Sequence, residues 1–188
     1  MTNDMTWTRR SALCGLAGLA TIAAAPVYSK TFGLLRGAGD VRKVNMHSRR
    51  TGESINTIYW IEGKYIKEVM KEVNFFMRDW REDAAVRMDQ RNVDIIAASH
   101  RLLETTEPFM LLSGYRTPRT NNMLRSRSRG VAKKSLHMEG MAADLTLKSR
   151  SVGQIAKAGS AISSGGVGRY SRSNFVHFDC GPVRSWGR

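Results

Sequence analysis

Apolar and polar positions alternate along the chain in a way that separates strands from helices. Val44 to His47 and Ile55 to Ile61 are rich in β-branched and aromatic residues, and Arg49-Arg50-Thr51-Gly52-Glu53 between them is turn material. This predicts a β-hairpin, with a further turn at Glu62-Gly63-Lys64. Over residues 65–80 the period changes. Ile66, Val69, Met70, Val73, Phe76, Met77 and Trp80 recur at three- and four-residue steps, which predicts a helix with one buried face. A second helix is expected from Asp89 or Asn92 to about Glu104, with Ile95, Ile96, Ser99, Leu102 and Leu103 inward. Phe109 to Leu112 reads as a buried strand, Asn121 to Leu124 as a short helix and Arg125 to Lys134 as a basic loop. Ala142 to Leu147 reads as another strand. Ser151 is placed to cap a helix running to about Ala161, and Ser163-Ser164-Gly165-Gly166 ends it. Val167 to Tyr170 and Phe175 to Asp179 complete the pattern as two strands joined by a polar turn. Helices early and strands clustered late predict an α+β domain with a small, mainly antiparallel sheet and helices packed on it.

The first 25 residues obey a different rule. Arg9 and Arg10 precede an apolar stretch from Leu13 to about Ala25, which ends in Ala23-Ala24-Ala25. A charged start, an apolar centre and small residues at the end form the layout of an export signal, and the paired arginines suggest the twin-arginine route. Residues 1–25 are therefore read as that signal, 26–42 as a linker or lead-in, and 43–188 as the functional domain. The apolar run is short and interrupted for a spanning helix, so no stable membrane insertion is expected once the signal is removed.

Composition changes the picture only through charge. The 188 residues are 41% hydrophobic and 24% charged, ordinary for a globular protein, but 30 Lys and Arg against 16 Asp and Glu give a net charge of +14. Loss of Arg9, Arg10 and Asp4 with the signal lowers this by one. Such a balance selects an anionic partner. An exported protein meets the bacterial wall rather than nucleic acid, and no nucleic-acid-binding signature is present. The place expected is the periplasm or cell envelope. With Cys14 in the signal, Cys180 is left alone and is read as a small buried residue.

Four histidines lie beyond the signal: His47, His100, His137 and His177. Two of them sit in segments unlike ordinary core, Ser135-Leu136-His137-Met138-Glu139-Gly140-Met141-Ala142-Ala143-Asp144 and Phe175-Val176-His177-Phe178-Asp179. Two imidazoles and one carboxylate suit zinc, and three protein ligands leave a fourth position for water. Gly140 lets the chain turn between His137 and Asp144. Strand alternation puts His177 and Asp179 on one face and Phe178 on the other.

The S-x-H-x-x-G-x-A-x-D core from Ser135 to Asp144, followed by His177-x-Asp179, resembles the metal-binding motif of the zinc D-Ala-D-Ala carboxypeptidases and related murein endopeptidases. Lysostaphin-type enzymes and hedgehog domains share their fold. The chain is most similar to the YcbK-like branch of exported wall endopeptidases. Arg78-Asp79-Trp80, Ser113-Gly114-Tyr115-Arg116-Thr117-Pro118, Gly165-Gly166-Val167-Gly168-Arg169-Tyr170 and Gly181-Pro182-Val183-Arg184-Ser185-Trp186 carry that similarity from about residue 43 to the C-terminus. The resemblance implies one zinc ion per chain held by His137, Asp144 and His177, with Arg116 facing the scissile carbonyl. It implies hydrolysis of amide bonds in peptidoglycan stem peptides or cross-links. Many relatives place a Glu three residues before the last zinc histidine, where this chain has Asn174. Asp179 is then either the general base or the residue that orients His177, with Glu139 a weaker candidate. Tyr170 and Ser135 are candidates for binding substrate. Arg125, Arg127, Arg129, Lys133 and Lys134 form either a solvated loop or a basic lip that attracts carboxylates. The missing Glu also motivates an alternative, a wall-binding protein that keeps the zinc fold without turnover.

Overall fold

The computed structural model describes residues 40–187; the export signal and most of the lead-in expected from the sequence lie outside these. Eight strands form one sheet in the order β3-β2-β1-β4-β5-β7-β6-β8. They are β1 (Val41–Ser48), β2 (Ser54–Ile61), β3 (Lys64–Tyr65), β4 (Phe109–Ser113), β5 (Ala142–Thr146), β6 (Gly166–Tyr170), β7 (Phe175–Asp179) and β8 (Arg184–Gly187). The helices are α1 (Lys67–Phe76), α2 (Gln90–Leu102), α3 (Pro118–Arg127) and α4 (Val152–Ile162). The α+β class stands, but the sheet is mixed rather than mainly antiparallel and is not small. β1 runs parallel to β4, and β6 parallel to β8. Those two pairings join distant segments, so local periodicity carries no trace of them. β1 also begins at Val41, inside the stretch read as lead-in. Arg42 there is buried against Asp94 at 3.0 Å and stacks on Trp60.

Local chemistry sets most element ends. Asp89 caps α2 by accepting from the Arg91 amide, and Ser151 and Gln154 form a reciprocal capping box on α4. α1 stops at Phe76, short of the stripe that continues to Trp80. Tertiary partners claim the next residues: Arg78 pairs with Glu53 and Asp83, and Asp79 accepts from the amide and hydroxyl of Thr117. α3 runs well beyond Asn121 to Leu124, because Thr117 caps it and Pro118 opens its first turn. Arg125 and Arg127 therefore lie in its last turn rather than in a loop. α2 ends one residue before Leu103, which is buried, and leaves Leu102 exposed.

The core lies on one face of the sheet. Leu145, Val176, Phe178, Val167 and Ala143 point to that side and are buried, as are Ile95 and Ile96 of α2 and Ile155 of α4. Gly159 of α4 sits so close to Phe178 that a Cβ would meet the ring at 2.3 Å. Burial of each large apolar side chain contributes about 1.5–3 kcal/mol. The alternate residues of β5, β6 and β7 face the other way, and these carry the chemistry.

Candidate metal centre

Strand register builds the site as two transverse rows. In the first, Ser113 of β4 pairs with Asp144 of β5, Asp144 with His177 of β7, His177 with Gly168 of β6, and Gly168 with Trp186 of β8. In the second, Ala142, Asp179, Gly166 and Arg184 stand side by side. The small residues are spaces for their neighbours. A Cβ on Gly168 would lie 2.6 Å from the Trp186 ring, and one on Gly166 would lie 2.4 Å from Asp179 Oδ2 and 2.7 Å from the Arg184 guanidinium.

His137 arrives from outside the sheet. It stands on a 3-10 turn, Leu136–Glu139, which Ser135 caps by accepting from the His137 amide at 3.4 Å. Gly140 ends that turn at φ 67°, and a Cβ there would press on the Arg87 carbonyl at 2.9 Å. Both the left-handed backbone and the close approach require glycine. The chain then enters β5 and delivers Asp144.

Three donor atoms converge. His177 Nδ1 is 2.9 Å from Asp144 Oδ1, His137 Nε2 is 3.2 Å from the same oxygen, and the two ring nitrogens are 3.2 Å apart. A tetrahedral zinc site with bonds of about 2.0 Å has ligand atoms about 3.3 Å apart, so the triangle fits with small adjustment. The far ring nitrogens set the tautomers. His137 Nδ1 faces the Gly114 carbonyl at 2.6 Å, an acceptor only, so it holds a proton and Nε2 presents its lone pair inward. His177 Nε2 donates to Asp179 Oδ2 at 3.1 Å and leaves Nδ1 to face the centre. Nothing but a cation or a proton satisfies two lone pairs and a carboxylate so arranged. The donor set suits zinc, with one position open.

Electrostatics agree with a site built for positive charge. Burial opposes ionisation of Asp144, yet the His137 and His177 contacts and the Arg116 guanidinium hold it well below the usual carboxylate range. Burial likewise opposes a charge on His177, but its bonds to Asp144 and Asp179 lift its pKa to about 9. Burial is the main influence on His137 and lowers its pKa.

The other expected residues divide. Arg116 is buried; its Nη2 donates to Asp144 Oδ2 and its Nε to Ser113 Oγ at 2.7 Å. This is an ion pair, but it leaves Nη1 and one Nη2 hydrogen undirected by any described partner. Asp179 is fully buried and committed. Oδ1 accepts from Gly166 N, Gly181 N and Arg184 Nη1 at 3.2, 2.9 and 3.1 Å, and Oδ2 from His177 and from Arg184 Nη2 at 2.7 Å. Burial raises its pKa, but the hydrogen bonds from His177 and Arg184 outweigh it and hold it near 2. Glu139 is exposed and stands outside the cavity over the site, and Asn174 is a turn residue at φ 53°. Tyr170 lines the cavity, stacks on Phe175 and accepts from Trp186 Nε1 at 3.0 Å. Ser135 lines it as well, though the one described bond of its hydroxyl is the backbone cap. His47 and His100 lie elsewhere, bonded to Ser54 and to the Glu107 carbonyl.

Sequence reasoning assigned no role to Arg184, whose two nitrogens clamp Asp179, or to Trp186. The Trp186 ring tilts against His177 with centroids 5.5 Å apart and has Arg184 over it. Their signal was the Arg184-Ser185-Trp186 spacing, which places both on one face of a strand. The cavity has a volume of about 590 Å³. Arg81, Arg116, Lys134, Arg172 and Arg184 give it five cations, against one lining carboxylate, Asp144.

A family model described as Peptidoglycan L,D-endopeptidase MepK matches residues 36–186. The chain belongs to the MepK family. Peptidoglycan L,D-endopeptidase MepK of Escherichia coli (strain K12) is 43% identical over 145 residues, which cover 77% of this chain and 80% of that protein. The Shigella flexneri protein of the same name gives the same figures. Probable peptidoglycan L,D-endopeptidase MepK of Haemophilus influenzae is 32% identical over 149 residues, covering 77% and 78%. Family membership agrees with the murein endopeptidase resemblance of the motifs. The matched stretch spans seven strands, all but the last residue of β8 and both rows of the site.

Proposed function

We propose that this chain is a zinc-dependent endopeptidase that hydrolyses an L,D amide bond in peptidoglycan cross-links. The observation that carries this reading is the convergence of His137 Nε2, His177 Nδ1 and Asp144 Oδ1 at 2.9–3.2 Å in a cation-rich cavity. The relatives' names supply the stereochemistry. Of the cross-links in murein, a diaminopimelate-diaminopimelate bond joins an L-centre carbonyl to a D-centre amine, whereas the D-Ala-diaminopimelate cross-link, like the terminal D-Ala-D-Ala bond of a stem, is D,D. Those names also disfavour a wall-binding protein without turnover.

One zinc ion held by His137, Asp144 and His177 would supply Lewis acidity toward a water and the scissile carbonyl. The protein's own groups hold the ligands and the substrate in place. Gly114 O holds the Nδ1 proton of His137, and Asp179 holds the Nε2 proton of His177, so both inward lone pairs stay available. Arg184 and two backbone amides fix Asp179 in turn. With five donors on it and a pKa near 2, Asp179 is a poor proton acceptor, and we assign it the orienting role. Arg116 is assigned to the carbonyl oxygen: Ser113 and Asp144 hold its plane, and its remaining N–H groups are free to stabilise a developing oxyanion. Tyr170 and Trp186 wall the cleft, and Tyr170 keeps its hydroxyl proton for the peptide. Ser135 holds the turn that presents His137. Residues 1–25 are proposed as the signal that brings the protein to the envelope, with residues 26 to about 40 as lead-in. The fold proposed is that of the hedgehog and D-Ala-D-Ala-peptidase group. Among the described residues no helix is long and apolar enough to cross a membrane.

The test is incubation of the mature protein with purified dimeric muropeptides of each cross-link type, with zinc and with chelator, read by mass spectrometry. Zinc-dependent cleavage of the diaminopimelate-diaminopimelate dimer alone is expected. Cleavage of only D,D dimers would overturn the bond assignment, and cleavage unaffected by chelator would overturn the metal.

A further inference from the structure

The cavity cations are not equivalent. Arg116 is paired with Asp144 and Arg184 with Asp179. Lys134 and Arg172 are exposed, so water and salt screen them. Arg81 differs from all four. It lies in the turn after α1, half-buried, with its guanidinium 4.2 Å from the centre of the Trp80 ring. Among the described residues it has no carboxylate within salt-bridge distance and no side-chain hydrogen bond, although it lines the same cavity as the metal centre.

Its surroundings do not compensate the charge. Burial is the largest influence and disfavours the cation; the charge of Asp79 comes next and favours it, and those of Arg116, Arg50 and Arg127 add to the effect of burial. Asp79 opposes them from a distance, but its carboxylate is occupied by the backbone amides of Arg81 and Thr117 and by the Thr117 hydroxyl. A guanidinium does not relieve such an environment by losing its proton. It relieves it by binding an anion. Held against an indole, it presents a planar fork whose geometry matches a carboxylate.

We propose that Arg81 is the specificity residue of the cleft, binding a free carboxylate of the cross-linked stem peptide while His137, Asp144 and His177 take the scissile amide. The proposal rests on the peptidoglycan reading above. The substrate chemistry provides the group twice. A diaminopimelate acylated at its D-centre amine keeps a carboxylate on the same carbon, next to the scissile nitrogen. D-Glu linked through its side chain keeps its α-carboxylate one residue away. Lys134 and Arg172 steer such anions toward the cleft, and Arg81, partly shielded from salt, distinguishes them.

The experiment uses a ligand with no L,D bond to cut, the dipeptide of D-Glu linked through its side chain to diaminopimelate, titrated calorimetrically into the zinc-loaded protein. Three forms are compared: the free acid, the peptide amidated at the D-centre carboxyl of diaminopimelate, and the peptide amidated at the D-Glu α-carboxyl. The parent is expected to bind the acid about tenfold to a hundredfold more tightly than one of the amides, the range for a charge-assisted pair. The identity of that amide names the carboxylate. Arg81→Met keeps an apolar stem over Trp80 and is expected to bind all three forms equally weakly. Arg81→Lys keeps the charge without the fork and is expected to retain part of the preference. A parent that does not distinguish acid from amides, or that does not bind the acid, overturns the proposal. So does an Arg81→Met protein, folded by its melting temperature, that keeps the parent's preference. Because no bond is cut, these outcomes are independent of the cleavage test.

Discussion

Replacing Asp179 with Asn separates the two roles open to that residue. The side chain keeps its shape and loses its charge, and one oxygen becomes an NH₂ group. Every neighbour of Asp179 is a donor: Gly166 N, Gly181 N and Arg184 Nη1 face Oδ1, and His177 Nε2 and Arg184 Nη2 face Oδ2. The amide nitrogen is least badly placed on the Oδ2 side, where it opposes two donors instead of three. His177 meets it only by moving its proton from Nε2 to Nδ1, which puts the proton where the metal would bind. Losing such an orienting carboxylate weakens metal binding about tenfold to a hundredfold. The folding cost is limited by Arg184, whose side chain is 42% exposed against 0% for Asp179 and turns to water when its partner is gone. The full penalty of a broken buried pair therefore does not apply, and about 1–3 kcal/mol is expected for the opposed donors. That is a fall of several degrees in melting temperature.

The assay is competition for zinc against a chromophoric chelator, run beside turnover at saturating zinc. For an orienting Asp179, Asp179→Asn shows weaker zinc binding and recovers much of its turnover when zinc is raised. Unchanged zinc affinity with turnover lost by more than about a thousandfold, unrescued by zinc, would make Asp179 the general base and refute the reasoning.

Further outcomes follow from the same geometry. Arg116→Lys keeps a charge but cannot reach Asp144, Ser113 and a carbonyl oxygen at once; kcat is expected to fall about a hundredfold to a thousandfold with zinc content unchanged, and loss of zinc instead would make its pairing with Asp144 structural. Gly168→Ala drives a Cβ into Trp186, which must leave His177; a loss of about 1–3 kcal/mol, read by chemical denaturation, is expected, and an unchanged midpoint would show that the ring has room. Asp179 has a pKa near 2 against an ordinary 3.8, and Asp144 is depressed in the same direction; their contribution to stability is complete above about pH 4 and is lost as pH falls toward 2. Melting temperatures of chelated protein between pH 6 and 2 should show that decline, smaller in Asp179→Asn. Burial first, and Asp89 second, push the Cys180 thiol up to about 12, so iodoacetamide at pH 9 should modify it in urea but not in the native protein.

Elements with a strong apolar period were legible in the sequence, and elements defined by polar residues or by distant partners were not. The hairpin, α2, β4, α4, β6 and β7 follow the alternation or the three-to-four spacing of their apolar positions. α3 has almost no apolar period in Thr117-Pro118-Arg119-Thr120-Asn121-Asn122, and its start is written in a cap and a proline instead. β8 is four residues behind Pro182, with a parallel partner, β6, that no local pattern announces. The site divides in the same way. His137, Gly140 and Asp144 form one local device, a 3-10 turn, a left-handed glycine and a strand, so their spacing reports it. His177 and Asp179 are found by alternation. Arg184 and Trp186 belong to the site only because β6 pairs with β8 in a register that sets Gly166 beside Arg184 and Gly168 beside Trp186.

That register explains why the C-terminal strand matters to a centre it does not ligate. A metal-binding histidine needs its ring fixed about two torsions, and its own strand fixes only the backbone. For His177 the in-plane direction is set by Asp179 and the face by Trp186. Asp179 depends on Arg184, which stands on the same face of β8 as Trp186. Both constraints on His177 therefore come through β8, across two glycines whose missing side chains let an arginine and an indole lie flat over β6. A larger residue at either glycine would leave the three ligands in place in sequence and still loosen the imidazole. On this argument Gly166 and Gly168 act on the metal centre through packing alone, and their substitution should be felt in zinc affinity as well as in stability.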